Sequence, residues 1–331
     1  MAVLRVDCRT LLLAPLLTCL ACAATTPPPG TPPPGMLARL PVGSGPTLLA
    51  ISPDGARVYA AANKTLSVID TAANRVVATL PTDPYPTGIA VTPDGRRVFI
   101  TSLFSVRLLV VDTATNTQTN SIDLTTERFR GGFGRMAVSP DGSTAYVVNY
   151  GNRVLAVVDT TSGAMDVLLM NMGARDIALT PDGRTAYAAG CWSFCTPGTM
   201  QIFDPVSKRF GDRFAVGPGP YRIALSPDGT TAYTANVTDS SLSVIDLATR
   251  TVTHTVRAPV GPTGLAVSRD GAHVYVVGQT GGDLAVIDAH SLAVRTIPIG
   301  NRPRDVVVSP DGARAYVSTS SDVVVLDLQA I

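Results

Sequence analysis

An all-β, seven-bladed β-propeller with four-stranded antiparallel blades is predicted by three features that keep step along the chain. These are a Ser-Pro-Asp-Gly turn or near variant, an aromatic residue and a second aspartate, each occurring seven times. The turn aspartates are Asp54, Asp94, Asp141, Asp182, Asp228, Asp270 and Asp311, spaced 40, 47, 41, 46, 42 and 41 residues apart. That period is within or close to the range of one propeller blade.

Each element follows from local chemistry. In the turn, proline presets φ at the second position, aspartate tolerates the third and glycine takes the positive φ after it. An apolar strand A precedes each turn, as at residues 48–51 and 222–225. Strand B carries the aromatic five residues after the aspartate: Tyr59, Phe99, Tyr146, Tyr187, Tyr233, Tyr275 or Tyr316. Strand C closes 16 to 22 residues after the turn aspartate on Asp70, Asp112, Asp159, Asp204, Asp246, Asp288 or Asp327. Strand D is plainest at residues 75–80 and 251–256. Only four residues follow Asp327, too few for a turn and a fourth strand. Residues 36–42, Met-Leu-Ala-Arg-Leu-Pro-Val, read as a strand D with no A, B or C of its own. This N-terminal strand is expected to complete the last blade and so close the ring, removing an exposed edge.

Composition agrees. A single domain of 331 residues is ordinary for a propeller. Lys+Arg 26 nearly cancels Asp+Glu 25, which argues against a nucleic-acid partner or a field drawing the chain to a membrane. The only lysines are Lys64 and Lys208, and the only glutamate is Glu127. Charge thus rests on Arg and on Asp, a turn former, and hardly at all on the helix formers Glu and Lys.

Residues 1–23 read as a targeting segment, with Arg5 and Arg9 around a short n-region and an apolar stretch at 11–21 too short to span a bilayer. Two processing routes compete. Ala21-Cys22-Ala23 has the small residues of an ordinary secretory cleavage site. Cys22 after Cys19-Leu20-Ala21 also looks like a bacterial lipobox, from which Cys19 and Leu20 depart. Residues 24–35 form a linker with two Pro-Pro-Pro runs, a stiff spacer of roughly 3.1 Å per residue that spans about 35 Å. A spacer favours the anchored form, with Cys22 as the lipidation candidate. The expected location is therefore the periplasm or cell envelope, or otherwise the medium.

The repeats Tyr146-Val147-Val148-Asn149 and Tyr233-Thr234-Ala235-Asn236, with recurring Ser-Pro-Asp-Gly and Val-Ile-Asp, resemble the YVTN-repeat seven-bladed β-propeller family, which includes YncE-like and surface-layer-type propellers. The likeness covers about residues 36–331. It implies a fold and leaves activity open, since relatives of this kind include binding propellers and, more distantly, lactonases and lyases.

Ligands of a propeller usually meet the channel mouth, at the entry to strand A. Seven residues before each turn aspartate stand Thr47, Thr87, Gly134, Arg175, Tyr221, Thr263 and Arg304. Six before stand Leu48, Gly88, Arg135, Asp176, Arg222, Gly264 and Asp305. The template favours small or apolar residues there, so Arg135, Arg175, Arg222 and Arg304 stand out. Guanidinium offers a planar fork for carboxylate, phosphate or sulfate. The alternative is that Arg175-Asp176 and Arg304-Asp305 pair with neighbouring blades and neutralise each other.

Two insertions break the regular length, and insertions on a rigid ring tend to carry specificity. Residues 125–135 bring Glu127, Arg128, Phe129, Arg130 and Phe133 among glycines, as either a partner-binding lid or a plain surface loop. Cys191-Trp192-Ser193-Phe194-Cys195 lies between strands B and C of the fourth blade. In an oxidising compartment Cys191 and Cys195 are expected to form a disulfide that displays Trp192 and Phe194 to a partner or a sugar ring. His254, His273 and His290 fall at scattered repeat positions, which gives no metal site. Haem, phosphate-loop and nucleophile-elbow motifs are absent, so no cofactor is expected.

Together these features predict an exported, monomeric binding or scaffold protein that offers its mouth and loop tips to an envelope protein or a small anionic or carbohydrate ligand. The alternative is a propeller enzyme of lactonase or lyase type, with Asp176, Arg135, Arg175 and Arg222 polarising and deprotonating a carbonyl substrate.

Overall fold

Each Ser/Thr-x-Asp-Gly turn forms one hydrogen-bonded unit. The hydroxyl of Ser52 donates to Asp54 Oδ1 at 2.5 Å, the N–H of Ala56 donates to the same oxygen, and Ser52 Oγ accepts from the N–H of Arg57. The same triplet recurs around Asp94, Asp141, Asp182, Asp228, Asp270 and Asp311. The following glycine takes positive φ every time, 69–74° from Gly55 to Gly312. Seven such turns fold seven A–B hairpins.

The computed structural model describes residues 32–43, 45, 48–127, 133–190 and 196–331. These form seven four-stranded antiparallel sheets and no helix. The innermost strands are β2 (Leu48–Ile51), β6 (Pro86–Val91), β10 (Phe133–Val138), β14 (Ala174–Leu179), β18 (Pro220–Leu225), β22 (Pro262–Val267) and β26 (Asp305–Val308). The last sheet runs β1 (Met36–Pro41), β28 (Asp322–Asp327), β27 (Arg314–Ser318), β26, so the N-terminal strand supplies the outer strand of blade seven.

The repeating aromatics of strand B are buried and fill the spaces between adjacent blades. Tyr59, for example, sits with Leu66 and Val68 of its own blade against Val98, Ile100 and Leu109 of the next. At the closure, Leu40 and Val42 join Leu49, Val58, Tyr316 and Val323 in a cluster of the same kind. The aspartate that ends strand C caps the next turn, accepting the N–H of Ala73 at Asp70 and of Ser291 at Asp288.

These turns set an acid limit on stability. Hydrogen bonds from hydroxyl and backbone donors hold the seven A–B turn aspartates, and six of the strand-C aspartates from Asp70 to Asp288, below the ordinary carboxylate range. A depressed carboxylate stabilises the fold above its unfolded pKa, about 3.9, and loses that contribution as pH falls through the folded value. Burial pushes Asp176 and Asp283 the other way, so their contributions fade as pH rises. Thirteen groups outweigh two. Tm followed by circular dichroism is expected to hold between pH 7 and about 5 and to drop below about 4. A Tm that rises on acidification would contradict this.

Candidate functional site

A β-bulge recurs where the innermost strand enters the ring. In blade two Pro86 pairs with Ser102 and Gly88 with Thr101, which leaves Thr87 as the extra residue. The same shift leaves out Arg175 in blade four, Tyr221 in blade five and Thr263 in blade six. Blade three shifts across Gly134 and Arg135. A bulge frees one residue from the ladder and re-aims its side chain. Here it turns the residue seven before the turn aspartate toward the channel mouth.

Those residues line a bowl of about 370 Å³. Thr87, Gly134, Arg175, Tyr221, Thr263 and Arg304 all contribute, and their counterpart Thr47 lies outside the described residues. Leu48, Pro86, Leu103, Phe133, Arg135, Tyr150 and Gln279 complete most of the lining. Among the described residues every charged one in it is an arginine: Arg135, Arg175 and Arg304.

Beneath the bowl the remaining charges are bound to one another. Arg222 reaches Asp305 at 2.9 Å and Asp176 at 3.6 Å, and Arg135 reaches Asp305 at 3.3 Å. Arg135 belongs to blade three, Asp176 to four, Arg222 to five and Asp305 to seven, so the network crosses the channel and floors the bowl. Both acids also bolt neighbouring blades. Asp176 accepts the N–H of Ile223 at 3.1 Å, and Asp305 accepts that of Leu49 at 3.1 Å, the latter across the ring closure. Desolvation pushes Asp176 up, while the positive charges of Arg222 and Arg135 oppose it. Arg222 is lowered first by burial and then by Arg135, with both aspartates countering.

The alternative of pairing with neighbouring blades describes the acids and not the arginines beside them in the chain: Asp176 and Asp305 pair with Arg222 and Arg135 of other blades. The bulge sends Arg175 to the mouth while Asp176, next in the chain, turns inward to the channel. Asp176, Arg222 and Asp305 consequently lie below the bowl and outside its lining. Asp176, the base invoked for a carbonyl substrate, is spent on backbone N–H groups and Arg222.

Arg175 and Arg304 form no ion pair among the described residues. The Arg175 guanidinium lies 4.2 Å from the ring centre of Tyr150 and 5.4 Å from that of Tyr221, which fixes its direction. Arg304 donates its backbone N–H to Ser318 O, and its buried Nε has no partner. Two cations above a neutral floor, one of them oriented by tyrosine stacking, can hold a carboxylate, phosphate or sulfate.

Tyr150, Leu103 and Gln279 escaped the sequence reading. Each stands nine residues after its turn aspartate, first in the B–C loop. The repeat register that located Arg175 and Arg304 finds them too when counted forward. Glu127, of the 125–135 insertion, is exposed. Arg128, Phe129, Arg130, Cys191, Trp192, Phe194, Cys195 and Cys22 lie outside the described residues. Among the described residues no three His, Cys, Asp or Glu side chains converge, and no helix is long and apolar enough to cross a membrane.

The YNCE-like beta-propeller family model matches residues 216–314. With the seven-bladed ring, that match supports placing the chain among the YncE-like propellers. Hydrazine synthase of Kuenenia stuttgartiensis is similar in structure, with a TM-score of 0.77 at 19% identity over 87% of this chain and 97% of that one. At that identity the likeness shows the fold alone. No curated protein matches the sequence.

Proposed function

We propose that this is an exported binding propeller that takes a small anionic ligand in the bowl at its channel mouth. One observation carries the reading: Arg175 and Arg304 face a cavity whose lining, among the described residues, holds no carboxylate, while the nearby acids are neutralised below it. Tyrosine stacking pre-orients one of the two cations, which lowers the ordering cost of binding. The apolar N-terminal segment and its proline-rich spacer support export and attachment to the envelope through Cys22.

Calorimetric titration with acetate, phosphate and sulfate, against a neutral sugar, tests the binding. Anions are expected to bind and the sugar not. The double variant Arg175→Ala, Arg304→Ala should weaken anion binding by about tenfold or more, the usual worth of a charge-assisted hydrogen bond. Arg57→Ala, whose ion pair with Asp70 lies at a blade turn, should leave binding unchanged. Equal anion affinity in the double variant and the parent protein would sink the reading.

A further inference from the structure

The bowl is divided by chemistry as well as by charge. Blades one to three supply Leu48, Pro86, Leu103 and Phe133, beside the polar Thr87 and Tyr150 and the Asp305-paired Arg135, and the unpaired cations Arg175 and Arg304 come from blades four and seven. The carbon wall continues outward. Tyr85 and Phe104 precede Pro86 and follow Leu103 in the chain, and stack edge to face with ring centres 5.5 Å apart. They are 55% and 71% exposed, the only largely exposed aromatic side chains among the described residues. Water-facing aromatics are costly unless something covers them.

This rim is built, not loose. Tyr85 adopts φ +55°, a conformation a bulky residue rarely takes without surrounding support. Its carbonyl accepts the N–H of Leu103 at 2.9 Å, and its own N–H donates to Asn63 Oδ1 at 3.3 Å. The backbone therefore holds the aromatic pair at the lip, beside Pro86 and Leu103 of the lining.

We propose that the ligand is an amphipathic carboxylate, its acid group on Arg175 and Arg304 and its apolar body along Leu48, Pro86 and Leu103 to Tyr85 and Phe104. This rests on the anion-binding reading above and narrows it. A simple inorganic anion would leave the carbon wall and the rim wet. A sugar acid would set hydroxyls against the same carbon.

Calorimetry with propanoate, butanoate, hexanoate and octanoate, beside phosphate and glucuronate, separates these cases. Affinity is expected to rise up to about fourfold for each methylene buried along the wall. Phe104→Ala and Tyr85→Ala, checked for folding by circular dichroism, should weaken octanoate binding severalfold and leave butanoate unchanged. Affinity independent of chain length, or phosphate or glucuronate binding more tightly than octanoate, would overturn the amphipathic ligand and leave the anion site standing. Binding of none of the anions would overturn both.

Discussion

Deleting residues 36–43 is expected to abolish cooperative unfolding. The deletion removes β1, which pairs with β28 from Met36 opposite Leu326 to Pro41 opposite Asp322. It takes Leu40 and Val42 out of the cluster that joins blades seven and one. Each such apolar side chain is worth about 1.5–3 kcal/mol on burial. Also lost are the contacts of Arg39 with Asp322 at 3.3 Å and with Ile299 O at 3.2 Å. What remains is an open three-stranded blade with a bare edge, a ready site for wrong pairing. The losses are comparable to the whole stability of a typical domain, about 5–15 kcal/mol. A thermal melt followed by circular dichroism should broaden or vanish. A sharp melt at the original temperature would contradict closure by the N-terminal strand.

Asp305→Ala should be the most damaging single substitution at the channel. It leaves Arg222 buried with only Asp176 at 3.6 Å, takes the counter-charge from Arg135, and strands the N–H of Leu49 across the ring closure. Removing one partner of a buried ion pair costs about 3–5 kcal/mol. At about 2 °C per kcal/mol for a long domain, Tm should fall by about 6–10 °C. Asp305→Asn keeps an acceptor for Leu49 and should lose less. Arg175→Ala, above the floor and outside the network, should leave Tm within a degree or two. Wild-type stability in Asp305→Ala would show that the floor is held by something other than these pairs.

The blades were legible because their chemistry is local. Ser52, Asp54 and Gly55 make their turn within a few residues, and seven copies multiply a weak signal into a certain one. Ring closure was legible from a strand too many at one end and one too few at the other. The register seven before each turn aspartate located Arg175, Tyr221 and Arg304 because a closed ring repeats geometry as it repeats sequence. The pairing at the floor was not legible. Asp305 meets Arg135 and Arg222, 170 and 83 residues away, across a channel whose width no local pattern encodes. Nor was the bulge, which depends on how β14 and its counterparts slip against their partner strands. Tyr85 and Phe104 fall outside the repeat template and acquire meaning only beside Pro86 and Leu103.

The mouth arginines divide into a neutralised floor and a free pair. Nitrogen-detected magnetic resonance of arginine side chains tests this division directly, with protein labelled in arginine and titrated with octanoate or, failing that, phosphate. Assignment comes from single Arg→Lys variants. Arg175 and Arg304 Nε resonances are expected to shift in step with saturation while those of Arg135 and Arg222 stay in place. Shifts confined to Arg135 and Arg222, or none at any of the four, would contradict the division.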